Sequence, residues 1–82
     1  MKQITIYTTA TCPYCVKAKQ LLRQQGFAFT EVDVTGDDAK RAWLVQATGR
    51  RTVPQLFVEE QSIGGCDDLE GLIKQGAHEA WR

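Results

Sequence analysis

Gln3-Ile4-Thr5-Ile6-Tyr7-Thr8-Thr9-Ala10-Thr11-Cys12-Pro13-Tyr14-Cys15, residues 3–15, is the stretch that decides the fold. Its first half alternates along residues 3–8, which predicts a strand with Ile4, Ile6 and Thr8 on one face. Its second half starts a helix. Pro13 suits the first helical position, where its missing N–H would have no partner anyway. Cys15, Ala18, Leu21 and Leu22 then fall on one face at helical spacing, and the helix runs to about Gln25 with Gly26 as its C-terminal cap. Two cysteines, Cys12 and Cys15, therefore stand where a strand hands over to a helix.

The rest of the chain extends this unit. Residues 27–34 predict a second strand, with Phe27, Phe29 and either Val32 or Val34 turned inward. Thr35-Gly36-Asp37-Asp38 is a turn and helix start. Ala39, Ala42, Trp43, Gln46 and Ala47 mark the buried side of a second helix that Gly49 ends. Thr52-Val53-Pro54 leads into a third strand, 55–59, and a fourth, 61–64, pairs with it as a hairpin, although Glu59-Glu60 lacks the glycine or asparagine usual in such a turn. Asp67 followed by Glu70 resembles a capping box at the start of a third helix, whose core face is Leu69, Leu72 and Ile73. Gly76 lies near its end, and His78 to Arg82 reads as a short tail. The first strand–helix–strand unit is long enough for a right-handed crossover between parallel strands. Trp43 and Trp81 read as packing groups.

Composition narrows the function. With 82 residues, 43% of them apolar, one globular domain spanning 1–82 is expected. Ten basic and ten acidic residues balance to zero, which argues against a broad nucleic-acid footprint. No apolar run approaches the ~18 residues of a membrane span, and residues 1–6 do not read as a secretory signal. A cytoplasmic setting is expected.

Three cysteines are too few and too odd a number for a disulfide-stapled secreted fold. Cys12 and Cys15 could be core residues, half of a zinc site, or a redox pair. Zinc usually takes four ligands, and only Cys66 and His78 remain, so no metal site is expected. Position favours redox chemistry. At a helix start the unpaired N–H groups and the helix dipole stabilise a thiolate, so the Cys12 pKa should fall. The thiolate is the attacking species in disulfide exchange, and Cys15, one turn deeper, is placed to resolve a mixed disulfide on Cys12.

At this point Cys12-Pro13-Tyr14-Cys15, Thr52-Val53-Pro54 and Gly64-Gly65-Cys66-Asp67-Asp68 together resemble a dithiol glutaredoxin of the short bacterial kind, over nearly the whole chain. The resemblance implies an α/β, thioredoxin-like fold with a four-stranded mixed sheet and three helices, in the order β-α-β-α-β-β-α. It implies glutathione as co-substrate, recharged by glutathione reductase and NADPH, with no tightly bound cofactor. The implied substrates are protein–glutathione mixed disulfides and protein disulfides such as that of ribonucleotide reductase, and the implied state is a monomer.

The resemblance also assigns a glutathione site. Pro54 would be cis and present the Val53 backbone beside Cys12, where it could pair with glutathione as a short added strand. Thr52 belongs to the same motif. The backbone N–H groups of Cys66 and Asp67 would hold the γ-glutamyl carboxylate at a helix start, and the Asp67 side chain would accept from the α-ammonium. Gly64 and Gly65 would let the backbone approach the ligand, Tyr14 would flank it, and Arg41 would grip its glycine carboxylate. Each has a plainer alternative: a trans Pro54 that merely opens a strand, an Asp67 that only caps, a solvated Arg41. Cys66 could be a regulatory thiol or a small residue filling the helix start. Many family members carry Lys three residues before the first active cysteine; Thr9 stands there, which implies a less depressed Cys12 pKa or a looser hold on glutathione. Two other functions stay open: a redoxin recharged by thioredoxin reductase, and carriage of a [2Fe–2S] cluster between two chains, against which Pro13 counts.

Overall fold

A computed structural model describes all the residues, Met1–Arg82. The elements are β1 (Ile4–Thr8), α1 (Pro13–Gln24), β2 (Thr30–Asp33), α2 (Asp38–Thr48), β3 (Gln55–Val58), β4 (Gln61–Gly64) and α3 (Cys66–Gln75), followed by a 3-10 turn, Ala77–Trp81. The sheet runs β2-β1-β3-β4. β1 and β2 are parallel, with Thr5 opposite Thr30 and Thr8 opposite Asp33. β3 is antiparallel to both β1 and β4, so the sheet is mixed as expected.

Alternation along the strands sends side chains to two helix-covered faces. Ile4, Ile6, Leu56 and Val58 meet Ala18 and Leu22 of α1 and Leu69 of α3, with Leu72 and Ile73 packed against that cluster. On the opposite face Phe57 and Val34 meet Leu44 of α2, flanked by Tyr7, Val32 and Val53. Each buried Ile, Leu, Val or Phe among these contributes about 1.5–3 kcal/mol.

The structure corrects four expectations. The second strand is four residues long, not eight. The N–H of Phe27 donates to the Leu22 carbonyl and that of Gly26 to Arg23, closing α1 in a Schellman motif with Gly26 at φ 78°. The backbone of residue 27 thus ends a helix and cannot begin a strand. The second helix is rotated: Leu44 is its buried residue, while Ala39, Ala42, Gln46 and Ala47 are exposed. Leu44 meets Val34 and Phe57 across the interface, and its side chain has more apolar area to bury than any single alanine of the stripe. Trp43 is 46% exposed, yet its ring stacks on Phe57 at 5.8 Å. The third helix is capped by Asp68, not by the Asp67–Glu70 pair: the Asp68 carboxylate accepts from the Gly65 N–H at 2.9 Å. Glu70 instead pairs with Lys17 of α1 at 3.3 Å. Finally, residues 78–82 are not a loose tail. His78 and Trp81 are buried, Trp81 packs against Phe27, and the Trp81 carbonyl accepts from the Lys2 N–H at 2.7 Å.

The β3–β4 hairpin forms as expected. Glu59 supplies the positive φ that its turn requires, at 55°. No helix is long and apolar enough to cross a membrane.

Candidate functional site

β1 delivers the chain to the end of the sheet, and the loop after it is tied down. The Ala10 N–H donates to Thr35 Oγ1 at 2.8 Å, and the Thr35 N–H donates to Asp33 at 2.8 Å. Two residues later Cys12 is the N-cap of α1, extended at φ −135° and ψ 99°. Its Sγ accepts from the Cys15 N–H at 3.0 Å, the place usually taken by a Ser or Asp side chain. No acidic residue stands in the first turn to oppose the positive end of the helix. Pro13 occupies N1 and Cys15 follows one turn down.

Cys12 and Cys15 are joined as a disulfide, Cα to Cα 5.2 Å. The two sulfurs are unequally accessible. Cys12 is half-buried and Cys15 fully buried against the core, so an incoming thiolate reaches Cys12. Cys12 Sγ also lies 3.6 Å from the Val53 carbonyl oxygen. The Val53–Pro54 peptide bond is cis.

Beside this pair opens a groove of about 260 Å³ between the 52–54 segment and the start of α3. Tyr14, Thr52, Val53, Pro54, Gly65, Cys66 and Asp67 all line it. Tyr14 is 62% exposed. The exposed Asp67 stands in the first turn of α3, whose positive end faces the groove. Arg41 is not among these residues. It lines a neighbouring groove of about 240 Å³ with Arg50 and Arg51, and the two grooves share Arg50, Thr52 and Val53. Cys66 has its side chain in the core, where burial pushes the thiol pKa up, and the Lys17 charge only partly opposes this. Gly64 and Gly65 answer to the protein itself. At Gly64, φ 99°, a Cβ would overlap the Asp68 side chain; at Gly65 it would sit 3.2 Å from the Pro54 carbonyl.

Three residues that hold the site were not singled out from sequence. Arg50 donates to the Asp68 carboxylate at 2.8 Å, linking the end of α2 to the start of α3. Gln55, 1% exposed, donates to the Thr52 carbonyl at 2.9 Å and so fixes the segment that faces Cys12. Thr35 holds the loop before Cys12, as above. An amide in the otherwise apolar run Gln55-Leu56-Phe57-Val58 was a legible signal for Gln55.

The Asp68 link gives a pH prediction. The Gly65 N–H, and then Arg50, hold the Asp68 carboxyl below the usual aspartate range. A depressed pKa contributes stability above the unfolded-state value, and that stability is lost as pH falls through the folded-state value. Asp68→Asn should therefore have a lower urea midpoint than wild type at pH 7, and the gap should close on acidification below the ordinary aspartate pKa. Equal midpoints at pH 7 would remove Asp68 from the account of this helix start.

Comparisons with known proteins agree with this geometry. A statistical description of the glutaredoxin family matches residues 4–63. Glutaredoxin 3 of Escherichia coli K12 is 49% identical over 76 residues, which cover 93% of this chain and 92% of that protein. A glutaredoxin of Pseudomonas aeruginosa is 46% identical over 80 residues, 98% of this chain and 95% of the other. Among solved structures, the glutaredoxin of Brucella melitensis has a TM-score of 0.87 at 40% identity, covering 98% of this chain and 87% of that one. A buckwheat glutaredoxin–glutathione complex has a TM-score of 0.89 at 31% identity, covering 95% of this chain and 74% of that one. A thioredoxin-like sheet that ends in a helix-capping CxxC pair, matched across nearly its full length by such relatives, places the chain in the glutaredoxin family of thiol–disulfide oxidoreductases.

Proposed function

We propose that the chain is a glutathione-dependent oxidoreductase that reduces protein disulfides and protein–glutathione mixed disulfides. The observation that carries this reading is the placement of Cys12 Sγ: it caps a helix and lies 3.6 Å from Val53, on the wall of a groove that ends at a second helix start. Amide dipoles favour the thiolate at Cys12. That thiolate attacks the protein-side-linked glutathione sulfur of a mixed disulfide. The Cys12–S–glutathione bond forms, and the protein thiol leaves and takes a proton. A second glutathione thiolate then attacks the bound glutathione sulfur, giving oxidised glutathione and restoring Cys12. With a protein disulfide, Cys12 forms a mixed disulfide with the substrate and Cys15 displaces the substrate thiol. Two electrons pass from the dithiol to the substrate, and the Cys12–Cys15 disulfide is left behind.

Binding follows from the lining residues. The Cys66 and Asp67 N–H groups receive the γ-glutamyl carboxylate, and the Asp67 side chain accepts from the ammonium. Val53 pairs with the cysteinyl backbone. Thr52, Pro54, Gly65 and Tyr14 close around the stem, and Arg41 reaches the glycine carboxylate from the neighbouring groove. The chain acts as a single domain, 1–82, as a monomer in the cytoplasm.

The test is a coupled assay on a glutathionylated peptide, with NADPH consumption followed under two reductases. Glutathione plus glutathione reductase should sustain turnover, and thioredoxin reductase should not. The reverse result would replace this reading by the thioredoxin-reductase-coupled one.

A further inference from the structure

The groove beyond Val53 carries positive charge that the glutathione site does not use up. Arg41, Arg50 and Arg51 line it, and no acidic residue does. Arg50 is committed to Asp68, whereas neither Arg41 nor Arg51 takes part in any ion pair. The formal charge of the whole chain is zero, so this is a local concentration and not a general excess. Arg50 and Asp68 also line the other groove but pair with each other, so its unpaired charge is the exposed Asp67 at the far end. A chain lying across Val53 thus meets a carboxylate on one side and guanidinium groups on the other. A single glycine carboxylate of glutathione engages one guanidinium. Arg51 is left over.

We propose that the arginine-lined groove docks an acidic stretch of the polypeptide whose disulfide Cys12 attacks. The inference rests on seating the substrate's cysteine beside Val53, as in the proposed function. A protein substrate continues past its cysteine and has no free carboxylate there, so Asp or Glu side chains would supply the negative charge. An extended chain advances about 3.3 Å per residue, so acids within two or three residues of the reacting cysteine come within reach of the groove. A guanidinium presents a rigid fork of donors suited to a carboxylate. Exposed charges of this kind act mainly by steering encounter, which makes the effect sensitive to salt.

The test leaves glutathione out, so that it stands apart from the fate of the glutathione reading. Reduced protein is mixed by stopped flow with disulfide peptides in which the reacting cysteine is flanked by Asp-Glu or by Lys-Lys, and thiol release is followed. Wild type should react roughly tenfold faster with the acidic peptide at low salt, and 0.5 M salt should bring the two rates together. Arg51→Glu should reverse the preference, while its rate with neutral hydroxyethyl disulfide stays at the wild-type value. Equal rates for the two peptides in wild type, or a preference that Arg51→Glu leaves intact, would overturn the proposal. A loss of rate with the neutral disulfide would also overturn it, because Arg51 would then act on the cysteine pair itself.

Discussion

Cys12→Ser should lose all measurable reduction of both mixed disulfides and protein disulfides, a fall of about 10³-fold or more, the scale on which an essential nucleophile counts. A serine hydroxyl at the N-cap would still accept the Cys15 N–H, so the helix start survives and the loss is chemical. Cys15→Ser separates the two reactions. Cys15 is fully buried beneath Cys12, so its sulfur is shielded from an external thiol and is placed for the internal displacement proposed above. The variant should keep turnover on glutathione mixed disulfides and lose it on protein disulfides, where no resolving thiol remains. Steady-state assays of both variants on both substrates check this. Comparable loss on both substrates in Cys15→Ser would mean that the inner sulfur does more than resolve.

Trp81→Ala should produce the largest loss of stability among single core truncations. The ring is 7% exposed and fills the corner between Phe27 and the first core cluster. Emptying such a site costs about 3–5 kcal/mol, and a domain of this size has little margin. At about 4–8 °C per kcal/mol for a chain of this length, the thermal midpoint should fall by at least roughly 12 °C. Circular dichroism melts measure it. Trp81 lies in a different part of the core from the cysteine pair, so alkylation of Cys12 well below the new midpoint should keep its wild-type rate. A shift of only a degree or two would mean that residues 77–82 are loosely attached after all.

Sequence made the site more legible than its supports. Strand β1, helix α1 and the three motifs are local signals: alternation, a proline at N1, a glycine at a cap. They put Cys12, Tyr14, Val53 and Cys66 on the elements where the structure has them. The errors arose where a local pattern competes with a tertiary one. The alanine stripe of α2 has the right period, yet it loses to Leu44, whose partners Val34 and Phe57 come from other elements. Phe27 looks like a strand residue, but the hydrogen bond that closes α1 claims its backbone, and the strand starts only at Thr30. Residues 78–82 carry no periodicity, so only the Phe27 ring and the Lys2 backbone reveal that Trp81 is anchored. Likewise the Arg50–Asp68 pair spans 18 positions and leaves no mark on either neighbourhood.

The bond between Lys2 and the Trp81 carbonyl, with Arg82 reaching the Gln25 carbonyl at 2.8 Å, has a topological meaning. Residues 2 and 81 meet against the same corner of the molecule, so the path between them traces a nearly closed ring. The linear order in which it is strung is then only one of several possible cuts through that ring, and a cut at the Glu59-Glu60 turn, away from the connections that carry Cys12 and Val53, would leave the cysteine pair its neighbours.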